Sequence, residues 1–388
     1  MQHAEQIRVL KTLMTHLDNG TNVDAGGIMR TPVSTYTCPD RAAQEWEVMF
    51  RDYPQVVGLS GDLPSPGNFF TLNNFGVPVL ATRDKAGKFR AFINVCTHRG
   101  TIVETEARGT KSKFSCPFHG WTYTGEGALM GIPKADHFGD LDKACLNLTE
   151  LPAVEALGIL WVHPKPDGVI HPDALLGGLA PEFDAWSFDE MTYMGCERYD
   201  TEMNWKLAID TFGETYHFST LHRNSLYPAM YGNVQAYDIY DRNHRMSLCY
   251  RSIDELRDKP ESDWHISKGC LPVYYLFPNI QVNVSSNGLV LVRVYPDGDD
   301  PRQSYSEISF YGRGTRSKGE AESLAMFQRA FAGVIRDEDY VVAAGAQIGA
   351  DQGQRDTVIF GRNEPALHHY HSTYRRALGL EPLPVEAV

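Results

Sequence analysis

The sequence predicts an α+β fold in two domains, a small all-β one followed by a larger one of strands and covering helices. Three observations carry this. At 388 residues the chain exceeds what one hydrophobic core comfortably holds. Residues 46–165 read mostly as strand, whereas residues 190–314 alternate one helical segment with longer strands. The chain then returns to helix at about 319–347 and again at 364–379.

Taken in order, residues 1–45 open with the helix-like MQHAEQIRVLKTLMTHL and run into an extended Pro/Thr piece, a segment expected to pack on the larger domain. The small domain is assigned to 46–165. Within it VPVLATRD (77–84) and KFRAFINV (88–95) flank a Lys-Ala-Gly turn and form a hairpin. KFS (113–115) and GILWVHP (158–164) supply further strands, and PKPDGVIHPDALLGG is a linker by its Pro and Gly content. The larger domain takes 166–388. Its strands are HRMSLCYRSI, PVYYLFPNIQVNV, LVLVRVYP and SYSEISFYGRG, and the last helix has Asn363 as a cap and Pro365 in its first turn.

A net charge of −13 argues against nucleic acid or an anionic membrane as partner. No run of eighteen apolar residues is present, and the N-terminus lacks a secretory pattern. Seven cysteines, an odd number spread through the chain, fit a reducing cytoplasm.

Two loops carry the strongest chemical signal. VCTHRG offers Cys96 and His98, and SCPFHGW offers Cys116 and His119, with seventeen residues between His98 and Cys116. Two thiolates on one iron and two imidazoles on the other suit a [2Fe–2S] cluster, whose potential rises when neutral His replaces anionic Cys. A structural zinc site is the alternative, but zinc loops usually pair Cys with Cys and His with His, and here each loop mixes them. The motif resembles that of the Rieske proteins.

A second constellation lies in NWKLAIDTFGETYHFSTLH, residues 204–222, read as one long helical segment. Asp210, Glu214 and His217 then share a helix face. His222 sits five residues beyond His217, about 140° further round a regular helix. Both imidazoles reach one ion only if the helix widens or ends between them. Two histidines and a distant carboxylate make the facial triad of non-haem Fe(II) oxygenases. Alone, such a face reads equally as a solvated surface.

Together the loops, N-W-K and acid-x-x-His-x4-His resemble the catalytic alpha subunit of the Rieske non-haem iron oxygenases, from about residue 46 to the end. The resemblance implies a helix-grip-like catalytic domain with an antiparallel sheet, a [2Fe–2S] cluster on Cys96, His98, Cys116 and His119, and mononuclear Fe(II) on His217 and His222. It implies that Glu214, where many members carry Asp, bridges a cluster histidine of one subunit to an iron histidine of the next, and that Asp210 stands near the iron. Members carry the third ligand on a downstream acidic helix. IRDEDYVVAAGAQ fits, with Asp339 as the choice and Asp337 and Glu338 as alternatives. His368, His369 and His371, and likewise His163 and His171, are assigned packing or surface roles.

The resemblance further implies a cytoplasmic homotrimer, since the two centres of one chain are too far apart for fast electron transfer. No nicotinamide or flavin fingerprint is present, so electrons come from a separate NAD(P)H-dependent reductase, directly or via a ferredoxin. With O2, they would mono- or dioxygenate a small organic substrate. Phe212, Phe218, Leu226, Tyr227, Met230 and Tyr231 are pocket candidates. An aromatic ring compound is the first reading of the substrate. The second is a quaternary ammonium or N-methyl compound, which the glutamate at the bridge also suggests, with Tyr274, Tyr275 and Phe277 as cage candidates. A reading of another class is an electron-transfer Rieske protein without oxygenase activity.

Overall fold

The computed structural model describes residues 1–314 and 317–388. The chain divides into two compact units. The smaller comprises Glu47–Leu175 with Ser187–Tyr193, and the larger comprises Met1–Trp46, Leu176–Trp186 and Met194–Val388. The smaller unit therefore extends past residue 165, where the linker composition had ended it.

The smaller unit is all β apart from short helical turns. Its five-stranded sheet runs in the order Glu150–Leu151, Phe89–Ile93, Val79–Arg83, Asn68–Leu72, Arg108–Thr110. The hairpin read from the sequence is present, with Leu80 opposite Phe92. A three-stranded sheet of Lys113–Ser115, Thr122–Thr124 and Leu129–Gly131 carries the second loop. Alternate apolar residues of both sheets, among them Phe69, Phe92, Phe114, Tyr123 and Leu129, close one core around Cys96 and Cys116.

The larger unit is organised by a seven-stranded sheet: β1 (Met191–Thr201), β2 (Met230–Tyr240), β3 (Asn243–Tyr250), β4 (Cys270–Leu276), β5 (Ile280–Ser285), β6 (Gly288–Pro296) and β7 (Ser304–Arg313), in the order β1-β7-β6-β5-β4-β3-β2. Every pairing from β2 through to β7 is antiparallel. PVYYLFPNIQVNV is two strands rather than one, turning at Pro278. β1 and β2 were not read from the sequence. Both lie at the sheet's two edges and keep most of their residues partly or fully exposed, which weakens the apolar signal.

Helices α1 (His3–Asn19), α2 (Trp205–Asp210), α3 (Lys318–Val334), α4 (Tyr340–Asp351) and α5 (Pro365–Ala377) belong to this unit, beside shorter helical pieces. α3 begins in a capping box: the Ser317 hydroxyl accepts from the Glu320 N–H, and the Glu320 carboxylate accepts from the Ser317 N–H. It lies on the sheet, where Gln328 Nε2 donates to the carbonyls of Leu289 and Tyr311. On α5, Tyr370 and Tyr374 bond Gln281 and Tyr275 of the sheet. Asn363 does not cap α5. Its amide donates to Asn233, and Glu364 occupies the cap position instead. Among the described residues, no helix is long and apolar enough to cross a membrane.

Candidate active site

The two loops of the smaller unit are built alike. The Cys96 N–H donates to Thr101 O and the Gly100 N–H to Cys96 O. One loop on, the Cys116 N–H donates to Trp121 O and the Gly120 N–H to Cys116 O. Gly100 and Gly120 both sit at positive φ, +76° and +73°, where a side chain is strained. Each turn thus fixes one thiol inward and one imidazole two or three residues later. The His98 and His119 rings lie 4.7 Å apart, and Trp121 stacks on His98 at 4.8 Å. The Cys116 thiol meets that of Cys96. His98 Nδ1 is buried without a partner among the described residues, an orphan that metal ligation would satisfy. The donor set fits a Rieske cluster: two buried thiols facing two neighbouring imidazoles.

The second site forms where three short elements meet. α2 does not run to residue 222 as the sequence suggested. It is capped by Asn204, whose side chain accepts from the Lys206 N–H, and it stops at Asp210. Gly213 then passes so close to α5 that an added Cβ would lie 2.4 Å from Leu367. A separate single turn, Tyr216–Ser219, carries His217, and His222 follows it. The break resolves the 140° mismatch of the two imidazoles.

The third member comes from Ile335–Asp339, a π-helical turn joining α3 to α4. The extra residue per turn re-aims the side chains that follow. Asp337 faces solvent and pairs with Arg336, while Asp339 is buried. Asp339 Oδ1 lies 3.2 Å from His222 Nε2 and 3.5 Å from His217 Nε2, and one ligand atom from each residue falls within 4.8 Å of the others. Adjacent ligands of a small octahedral dication lie about 3 Å apart. The trio therefore fits one such ion.

Two more carboxylates orient the imidazoles. His217 Nδ1–H donates to Glu214, and His222 Nδ1–H donates to Glu338 Oε2 over 2.7 Å. Both Nε2 atoms are thereby turned toward Asp339, the orientation in which they would ligate a metal once deprotonated. Burial opposes the charged form of His217, but Asp339 and Glu214 outweigh it and raise its pKa to about 9. His222 is raised in the same way against burial, by Asp339 and Glu338. Burial pushes Asp339 up, yet the two histidines hold it below the usual range. The pocket favours positive charge where the three side chains converge.

Comparisons with known proteins cover both regions of the chain. The profile of the Rieske [2Fe-2S] domain matches residues 53–152, and that of the ring hydroxylating alpha subunit (catalytic domain) matches residues 188–380. The chain belongs to the Rieske non-haem iron oxygenases. Choline monooxygenase, chloroplastic, of Spinacia oleracea is 27% identical over 359 residues, covering 89% of this chain and 78% of the relative. The anthranilate 1,2-dioxygenase large subunit of Burkholderia cepacia is 25% identical over 402 residues, covering 90% and 93%. The crystal structure of the quaternary ammonium Rieske monooxygenase CntA in complex with substrate L-carnitine shares the fold, with a TM-score of 0.77 at 19% identity over 92% of this chain and 97% of that one.

This Rieske oxygenase is an O2-dependent oxidoreductase that uses a [2Fe–2S] cluster and mononuclear iron. Beside the trio lies a cavity in two adjoining lobes, of about 40 Å³ and about 230 Å³. Of the six pocket candidates, Phe212, Phe218, Leu226 and Met230 line it. Tyr227 and Tyr231 do not. They flank the Arg251 guanidinium, and Tyr231 also bonds Asp254. The cage candidates Tyr274, Tyr275 and Phe277 also lie outside the lining, and Tyr274 donates to buried Glu182. Asp210 faces away from the trio, accepting from Tyr36 Oη (2.7 Å) and His371 Nε2 (3.0 Å). Two residues of this environment escaped the sequence reading in their actual roles: Glu338, weighed only as an alternative ligand, and His371, assigned to packing. The Phe331 ring of α3, unforeseen, spans both lobes.

Proposed function

We propose that this terminal oxygenase oxidises a quaternary ammonium or N-methyl compound, in place of the aromatic ring compound that the sequence suggested first. The observation that carries the reading is the similarity to spinach choline monooxygenase along 89% of the chain, through both sites. The fold shared with CntA, a quaternary ammonium Rieske monooxygenase in complex with its substrate L-carnitine, adds to it. The cavity is compatible: Phe212, Phe218 and Phe331 line it beside the trio, and aromatic rings attract a desolvated ammonium.

In this reading Cys96 and Cys116 hold one cluster iron, and His98 and His119 the other. His217, His222 and Asp339 hold Fe(II), which when bound supplies the open positions at which O2 is reduced. The protein's own part is positional. Glu214 and Glu338 fix the tautomers of His217 and His222 so that each Nε2 lone pair faces inward. The apolar lobes exclude water and seat the substrate beside the trio. Electrons arrive from a separate reductase or ferredoxin, as in alpha subunits of this family. A head-to-tail homotrimer would let Glu214 accept from a second imidazole, that of His119 of the partner subunit.

The test is a substrate screen of the iron-loaded enzyme with NADH and a compatible reductase, following O2 uptake and product mass. Quaternary ammonium compounds should drive O2 uptake coupled to gain of one oxygen or loss of a methyl group. Coupled uptake with anthranilate or naphthalene, and none with ammonium compounds, would restore the aromatic reading.

A further inference from the structure

The cavity beside the metal trio is divided unevenly, and the division constrains what can bind. The lobe lined by His217, His222 and Asp339 measures about 40 Å³, and the adjoining lobe about 230 Å³. A dry cavity of about 150 Å³ takes one benzene ring, so on that scale the two lobes take about two and about nine heavy atoms. One methyl group fits beside the trio, and a whole trimethylammonium does not. With one methyl at the trio, the larger lobe holds the nitrogen, its two remaining methyls and a tail of about six carbons.

The larger lobe's wall suits an apolar tail. Leu226, Met230, Leu271, Leu289, Val290 and Leu324 give it aliphatic surface. Among the described residues it is lined by no Lys, Arg, His, Asp or Glu. Three of its polar side chains bond back into the protein. The Ser225 hydroxyl donates to Glu338, that of Ser285 to Gly288 O, and the Gln328 amide to Leu289 O and Tyr311 O. Tyr250 and Asn283 add polarity without charge. A charged tail would be buried there without a counter-charge, which is strongly unfavourable, whereas each methylene buried against this wall gains affinity. Phe327, on the same wall, is 67% exposed, so the apolar surface continues outward to solvent.

We propose that the larger lobe is a tail site for an uncharged alkyl chain of about six carbons, sized by the cavity comparison above. The inference rests on the ammonium reading above and narrows it: the substrate is an alkyl-tailed N-methyl ammonium compound rather than a short one ending in a hydroxyl or carboxylate.

The test is calorimetric binding of ethyl-, propyl-, butyl-, hexyl-, octyl- and decyltrimethylammonium to the iron-loaded holoenzyme, below micelle-forming concentrations. Affinity should rise about fourfold per methylene and level off past about hexyl, where the chain passes Phe327 into solvent. Propyltrimethylammonium is choline with methyl in place of hydroxyl, and it should bind at least about tenfold tighter than choline. Val290→Phe, at a position lining the larger lobe alone, should remove the gain beyond propyl while iron content and the visible spectrum stay unchanged. Affinity that is flat along the wild-type series, choline as tight as its propyl analogue, or a gain that survives Val290→Phe overturns the tail site. The first two comparisons need no variant. The 2-methyl-2-alkanols, tertiary alcohols of the same shape without the charge, separate the two readings. They should show the same gain per methylene at lower affinity. If they do while the ammonium series fails to bind, the tail site stands and the ammonium reading falls.

Discussion

The Glu338 carboxylate lies 2.7 Å from Nδ1 of His222, 116 positions earlier in the chain. Its neighbour Asp339 meets Nε2 of the same ring at 3.2 Å. Two consecutive acidic residues thus grip opposite edges of one imidazole, one fixing its tautomer and the other sharing its metal-facing side. Ser225 donates to the same Glu338 oxygen and steadies it.

Glu338→Gln should consequently lower affinity for mononuclear iron by about ten- to a hundredfold, the usual effect of losing an orienting carboxylate. The cluster's visible spectrum should be unaffected. Iron titration of the apoprotein measures the change, and wild-type affinity would mean that Glu338 is incidental.

Replacing His217, His222 or Asp339 by Ala should abolish mononuclear iron and turnover, again sparing the cluster's colour. Asp337→Ala is the informative control. Its carboxylate is exposed and paired with Arg336, so iron content should stay at the wild-type level. Metal analysis beside the visible spectrum decides both.

Glu214→Gln should spare the cluster, weaken mononuclear iron about as Glu338→Gln does, and lose most turnover even when fully loaded with iron. Glu214 accepts from the His217 ring and from the N–H of His217 at 3.1 Å. An amide accepts only at its oxygen and donates at its nitrogen, so it cannot accept from two imidazoles at once. In single-turnover mixing, the pre-reduced cluster should stay reduced after O2 and substrate are added. Reoxidation at the wild-type rate, or an active monomer by light scattering, would remove the bridge between subunits.

Behind α2, Lys206 and Glu45 form a fully buried ion pair at 2.5 Å, with Trp205 Nε1 donating to the same carboxylate. Lys206→Met alone should destabilise the larger unit by about 3–5 kcal/mol, because it strands a buried charge. The double variant with Glu45→Leu should recover much of this. Denaturant unfolding monitored by tryptophan fluorescence checks both.

Legibility in the sequence followed the range of the interaction. The cluster loops are local devices, Cys-x-His and Cys-x-x-His closed by Gly100 and Gly120, so their spacing alone announces them. The histidines of the second site were equally visible. Its helix was misread because α2 ends where Gly213 meets Leu367, a contact made 154 positions down the chain. Glu338 and His371 act on partners 116 and 161 residues away, and no periodicity encodes such pairings. Tyr227 and Tyr231 failed as pocket residues for a related reason: adjacency to a ligand in sequence does not decide which side of a strand or turn a ring occupies, and Arg251 claimed both.

The wide turn at Ile335–Asp339 makes the iron site depend on chain length as well as on composition. One residue fewer between α3 and α4 would let the two helices fuse into a regular one, swinging Asp339 by about 100° around the axis. Every ligand would remain in the sequence, and a reader of motifs would still see an intact oxygenase. A single-codon deletion in this turn is therefore a route by which such a protein can retire its oxygen chemistry while keeping its cluster.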